Sequence, residues 1–134
     1  PDAQVNVNWT GSFSDVALAS EAAQTHINAG ADVLTGTAQM VIGAIGVARQ
    51  RGVLWFGTQA DQTSLAPEVV VANQVYDWTV VLRPMIQLVK EGTMGGTTYA
   101  LTLANGGLKI VVNQEALVGK TIQDIVEGKT NIEF

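Results

Sequence analysis

Polar and aromatic side chains gather at four places in the sequence, each directly after an apolar run. These are Trp9-Thr10-Gly11-Ser12-Phe13-Ser14-Asp15, Gly36-Thr37-Ala38-Gln39-Met40, Gly57-Thr58-Gln59-Ala60-Asp61-Gln62 and Asn73-Gln74-Val75-Tyr76-Asp77-Trp78. Their chemistry is that of recognition rather than bond-breaking. Amide and hydroxyl groups donate and accept hydrogen bonds, and an aromatic ring in a turn, Trp9 or Phe13, offers a flat apolar face for stacking. The carboxylates in these clusters are Asp15, Asp61 and Asp77. Three dispersed acids are too few and too far apart in sequence for a metal site, and Asp15 and Asp77 also stand where a helix N-cap would fall.

Other chemistries lack their residues. The chain has no cysteine, which excludes disulfides and thiolate metal ligands. His26 lies within a helical pattern without a Ser or Cys nucleophile motif and reads as a surface or boundary histidine. No glycine pattern matches GxGxxG after a strand or GxxxxGK[ST], so nucleotide phosphate binding has no support. Seven Lys plus Arg against twelve Asp plus Glu give a net charge of −5, the wrong sign for a nucleic-acid partner. No cofactor or metal is expected.

The elements that must position the four clusters alternate between strand and helix. Hydrophobic residues make up 47% and charged residues 14% of 134 residues, enough apolar surface for one globular core. The alternating segment 5–9 and the apolar runs at 31–35, 53–57 and 69–72 read as strands. Between them lie a helix over about 15–28, capped by Ser12 or Ser14 and stopped by Gly30, and a helix over about 40–51, stopped by Gly52. Gly43 and Gly46 give the second helix a small-residue packing face. A third helix over about 77–91 contains Pro84, which predicts a kink or a restart. Residues 99–103 and 108–112 read as a hairpin around Asn105-Gly106-Gly107, followed by a helix over 114–127 and an extended tail over 130–134. The pattern predicts an α/β fold with a mainly parallel sheet, in which the four clusters share the carboxyl edge where ligands collect.

With these segments in view, the sequence resembles the basic-membrane-protein (BMP) family, the branch of type I periplasmic binding proteins that includes purine nucleoside receptors. The likeness rests on VNVNWTGSFSD, INAGADVLTGTAQMVIGAIGVARQRGVLWFGTQADQ, EVVVANQVYDW and the ending IQDIVEGKTNIEF, in the family's order and spacing. It implies a three-layer α/β sandwich forming one lobe of a type I periplasmic binding protein fold. Residues 1–72 would make most of the second lobe, 73–92 a hinge and a helix that packs on the first lobe, and 93–134 the terminal strands and helix.

The resemblance implies an extracytoplasmic, lipid-anchored component of an ABC importer. It would close two lobes on a small, nucleoside-like ligand and dock on a membrane permease. Trp9 and Phe13 would fence or stack on the ligand, Asp15, Thr37, Gln39, Gln59 and Asp61 would contact it from the loops, and Asn73 or Tyr76 from the hinge. Three positions depart from the nucleoside-receptor pattern. Its Gly-Val-Asp-x-Asp-Gln segment reads Gly57-Thr58-Gln59-Ala60-Asp61-Gln62 here, which puts Gln59 where an acid reaches the ribose hydroxyls. A lysine after the fourth strand is replaced by Tyr76, and a glycine-rich turn by Thr37-Ala38-Gln39-Met40.

The chain opens on Pro1 without an initiating Met, as a mature or cut product would. A helix carrying Val80, Val81, Leu82, Met85, Ile86, Leu88 and Val89 needs cover from the first lobe or, in its absence, from a homo-oligomer of the fragment. Two other readings fit the same elements. One is the ligand-sensing domain of a regulator or receptor. The other is an enzyme with Asp15 or Asp61 as acid or base.

Overall fold

Parallel strands need helical crossovers, and glycines that can take a left-handed conformation let each helix stop sharply before the next strand. In a computed structural model of the protein, which describes residues 3–113, this logic runs through the first half of the chain. Helix α1 (Val16–Asn28) ends at Ala29 and Gly30 (φ 98°), and β1 (Val33–Thr35) follows. Helix α2 (Val41–Arg51) ends on Gly52 at φ 66°, and leads to β2 (Leu54–Gln59). A short 3-10 turn (Thr63–Leu65) precedes β3 (Val70–Tyr76), then come α3 (Thr79–Lys90) and β4 (Leu108–Val112). The four strands form one sheet in the order β1-β2-β3-β4, parallel except for the antiparallel β3–β4 pair.

Alternation along the strands sends Leu34 and Trp55 to the face covered by α1 and α2, where they join Ala19, Ala23, Ile45, Ala48 and Val70 in the core. Trp55 is only 1% exposed. On the opposite face Val33, Thr35, Leu54 and Phe56 are exposed, so two of the three expected layers lie within the described residues. The α/β class and the mainly parallel sheet hold.

The close crossing of α1 and α2 depends on Gly43. A Cβ there would stand 2.3 Å from the Val16 carbonyl oxygen and 2.5 Å from Ser20 Oγ, whereas at Gly46 it would meet nothing within 4 Å. Gly43→Ala is therefore expected to destabilise the fold by about 2 kcal/mol, since backbone must move to admit it. Gly46→Ala should stabilise it by about 0.5 kcal/mol through helix propensity alone. Urea unfolding of the two variants checks the contrast, and equal shifts would remove Gly43 from the helix contact.

Four expectations are corrected. Residues 5–9 form no strand: Val5, Val7 and Trp9 are exposed, and β1, the edge strand with a free side, is three residues long and offers little ladder to pair with. Residues 99–103 are not half of a hairpin either. Asn105 takes their backbone groups, its Oδ1 accepting from Thr102 N (2.9 Å) and its Nδ2 donating to the Ala100 carbonyl (2.8 Å). A side chain that claims these groups competes with a ladder. Strand β4 pairs instead with β3, from Ala72↔Val112 to Tyr76↔Leu108, and so carries β3 past residue 72 through the segment read as a loop.

The last correction concerns α3, which is a single helix from Thr79 to Lys90 and does not restart at Pro84, whose ring nitrogen has no N–H to offer the Val80 carbonyl. Its Val81 is buried, while Leu82, Met85, Ile86 and Val89 are exposed along the helix. The helix expected over 114–127 and the tail over 130–134 lie outside the described residues.

Candidate functional site

Strands β1, β2 and β3 run parallel, so their carboxyl ends, at Thr35, Gln59 and Tyr76, come to one edge of the sheet. The loop before α1 joins this edge because Met40 N donates to the Phe13 carbonyl at 3.1 Å. The first three sequence clusters thus come together, and the fourth is brought in as the end of β3.

Side-chain hydroxyls stitch the neighbouring loops. Thr35 Oγ1 donates to the Phe56 carbonyl (2.8 Å), and Thr58 Oγ1 to the Gly36 carbonyl (2.6 Å). Ala38 N donates to Gln59 Oε1 at 3.2 Å. Both Ala38 (φ 73°) and Gln59 (φ 74°) are left-handed non-glycine residues. Ala60 N donates to the Thr58 carbonyl at 2.9 Å, which makes Gln59 the centre of a γ-turn with positive φ, a rare and strained conformation.

Beneath this rim lies a polar hub. Asn73, 1% exposed, accepts from Gln62 N through Oδ1 (3.0 Å) and donates through Nδ2 to Asp61 Oδ1 and Thr63 Oγ1, both at 3.0 Å. Gln62 accepts from Trp55 Nε1 (2.7 Å) and donates to the Thr58 carbonyl (3.0 Å). The Thr63 hydroxyl and backbone N–H hold the Asp61 carboxyl below the usual carboxylate range. Among the described residues no buried side-chain polar atom lacks a partner. Asn73 and Asp61 thus brace the loop that follows β2.

The remaining expected site residues divide into exposed groups and caps. Phe13 and Trp9 are 77% and 91% exposed, and Thr37 and Gln39 are exposed too. Tyr76 is half-buried and meets Trp78 edge to face, ring centroids 5.7 Å apart. Asp15, rather than Ser12 or Ser14, caps α1: its Oδ1 accepts from Ala17 N and Leu18 N, and Ser12 Oγ shapes the turn before it. Asp77 accepts from Thr79 at the start of α3 and pairs with Lys109 (2.7 Å). The Lys109 ammonium, with help from Thr79, lowers the Asp77 carboxyl from 3.8 to about 2.

Sequence reasoning missed Thr35, Thr58, Gln62 and Ala38. Parallel register offered the first two, because Thr35 and Thr58 close their strands on the same edge. The described residues hold no cluster of three or more potential metal ligands. No helix among them is long and apolar enough to cross a membrane. A shallow groove of about 280 Å³ between the N-terminal segment and α1, bordered by Trp9, Leu18 and Glu21, stands beside the edge.

Comparison with known proteins gives this geometry a setting. Residues 1–133 match the family described as ABC transporter substrate-binding protein PnrA-like (Bmp). A purine-binding protein of Brucella abortus (strain 2308) is 31% identical over 93 residues, which are 69% of this chain and 26% of that protein. Among solved structures, an ABC transporter solute-binding protein of Aeropyrum pernix K1 is similar with a TM-score of 0.66 at 24% identity, covering 95% of this chain and 36% of that one. A second solute-binding protein, of Conexibacter woesei DSM 14684, gives 0.60 at 22% identity over 94% and 45% of the two chains. A transcriptional activator of the comK gene from Bacillus halodurans gives 0.70 at 14% identity over 88% and 42%. These structural likenesses establish the fold. The chain spans about a quarter of the length of the curated relative and less than half of each of these solved chains.

Proposed function

Because the chain belongs to the family of PnrA-like ABC transporter substrate-binding proteins, we propose that it forms one wall of a ligand-binding cleft in an extracytoplasmic importer component. On that family membership the protein is a binding protein and not an enzyme. The observation that carries the reading is the carboxyl edge itself: three parallel strands end there, their loops are clasped together, and aromatic rings stand exposed beside them.

The ligand is a small polar molecule of the purine base or nucleoside class, a reading supported by the 31% identical Brucella relative, which is named a purine-binding protein. Phe13 and Trp9 stack on it or fence it, Thr37, Gln39, Gln59 and Tyr76 supply hydrogen bonds, and Asp15, Asp61 and Asn73 hold the loops in place. A first lobe closes over this edge and covers the apolar side of α3, and the closed form delivers its ligand to a membrane permease. A lipid anchor keeps the protein at the membrane surface. Residues 1–72 belong to the second lobe, and 73–92 carry the hinge and the helix that reaches the first. Self-association is the alternative way of covering α3.

Isothermal titration of the full-length protein with hypoxanthine, adenine, inosine and guanosine tests the reading. At least one is expected to bind with micromolar or tighter affinity, and this chain alone, being half a cleft, far more weakly. No heat with any of the four refutes the purine assignment. A regulator with the same fold would instead couple such binding to DNA, and a change in DNA affinity on adding the purine would favour that role.

A further inference from the structure

The contact between the two strained loops says which kind of ligand group the edge accepts. Ala38 and Gln59 occupy positive φ on adjacent loops, and one hydrogen bond joins them. A backbone N–H can only donate, so the atom of Gln59 that faces Ala38 N must be the carbonyl oxygen, which settles the orientation of the amide. With Oε1 engaged, Gln59 turns its NH2 away from Ala38. The side chain is exposed, and Nε2 has no partner among the described residues. Thr58 Oγ1 and Thr35 Oγ1 clasp the same two strand ends just ahead of this contact, at 2.6 Å and 2.8 Å. The amide therefore stands on a braced surface rather than on a free loop.

Resting on the cleft reading above, the geometry points to Gln59 as a specificity-determining residue with two separable parts. Its Oε1 latches the loop after β1, and its Nε2 donates to an acceptor atom of the ligand, a carbonyl oxygen or an unprotonated ring nitrogen. A ligand that offers only an N–H donor at this position, a protonated ring nitrogen or an exocyclic amine, is disfavoured, because two donors would face each other.

Two substitutions separate the parts. In Gln59→Glu the carboxylate still accepts from Ala38 N but can no longer donate; in Gln59→Met neither contact survives. Titration uses hypoxanthine and inosine with the full-length protein. Gln59→Glu is expected to weaken whichever purine the unsubstituted protein binds by at least about tenfold. By NMR the Ala38 amide should exchange slowly in the unsubstituted protein and in Gln59→Glu, and faster in Gln59→Met. Unchanged or tighter purine binding by Gln59→Glu overturns the donor role. An Ala38 amide that exchanges equally fast in all three overturns the latch. Failure of the unsubstituted protein to bind any purine defeats the cleft reading, and this inference with it.

Discussion

Gly57→Ala is expected to destabilise the fold by about 4 kcal/mol, roughly 10–20 °C in melting temperature for a chain of this size. Gly57 lies within β2, where alanine is no worse than glycine for backbone conformation, so the loss comes entirely from space. A Cβ would stand 2.0 Å from Asn73 Oδ1, 3.0 Å from Asn73 Cγ and 2.9 Å from Gln62 Oε1. The Asn73 amide is 1% exposed and holds three hydrogen bonds, so it cannot swing into solvent. Moving it unpairs Gln62 N and the groups it shares with Asp61 and Thr63, which adds unmet polar groups to the steric term. Denaturant unfolding measures the loss. Asn73→Ala introduced into Gly57→Ala removes the clashing group, so the double variant should be less destabilised than the sum of the two single ones. A Gly57→Ala protein within about 0.5 kcal/mol of the original would mean that β2 and β3 give way easily and that the hub is not rigid.

Which parts of this arrangement could be read from sequence follows from how local each signal is. Helices α1 and α2 carry their own periodicity and are stopped by Gly30 and Gly52, whose positive φ needs no distant partner. The strands between them follow from the same punctuation. Residues 5–9 and 99–103 show equally good strand patterns and form no strand, because a strand needs a neighbouring edge and uncommitted backbone groups. The end of β3 was misread for the opposite reason, since β4 supplies a partner from more than thirty residues away.

At the site, residue type told where polar groups gather but not which way they face. Asn73 and Asp61 look like ligand-binding residues in sequence, yet their hydrogen bonds run to each other and to the loop after β2, whereas Gln59, Thr37 and Phe13 are exposed and, apart from the Gln59 contact to Ala38, face outward. The left-handed backbone at Ala38 and Gln59 carries no sequence mark, because the usual indicators of positive φ are Gly, Asn and Asp. Three parallel strands end on one edge because of topology, and topology was legible. The division of that edge into a braced floor and an open rim was not.

The floor also predicts a pH signature. In Asn73→Asp the new carboxylate can still accept from Gln62 N, but an oxygen replaces the nitrogen that donates to Asp61 Oδ1 and Thr63 Oγ1 across 3.0 Å. Two carboxylates at that distance repel each other, and although Asp61 is exposed, position 73 is buried, so the pair holds on to a shared proton. The folded pKa of the pair's last proton is therefore raised above the unfolded value of about 3.9. A raised folded pKa gives stability that is fully present below the unfolded pKa and lost as pH rises through the folded one, at up to about 1.4 kcal/mol per pH unit. The original protein moves the other way. Its Asp61 is held below the usual range by Thr63, so that contribution is present above the ordinary 3.8 and lost as pH falls. The gap between the two proteins should accordingly be small near pH 4 and widen to about 4 kcal/mol at neutral pH, the scale of an uncompensated buried charge. Asn73→Leu, which lacks the charge, should show a deficit that varies far less with pH. Urea midpoints at pH 4, 5.5 and 7 distinguish the cases. A constant Asn73→Asp deficit would place Asp61 outside hydrogen-bond reach of position 73 and dissolve the hub that holds the loop after β2.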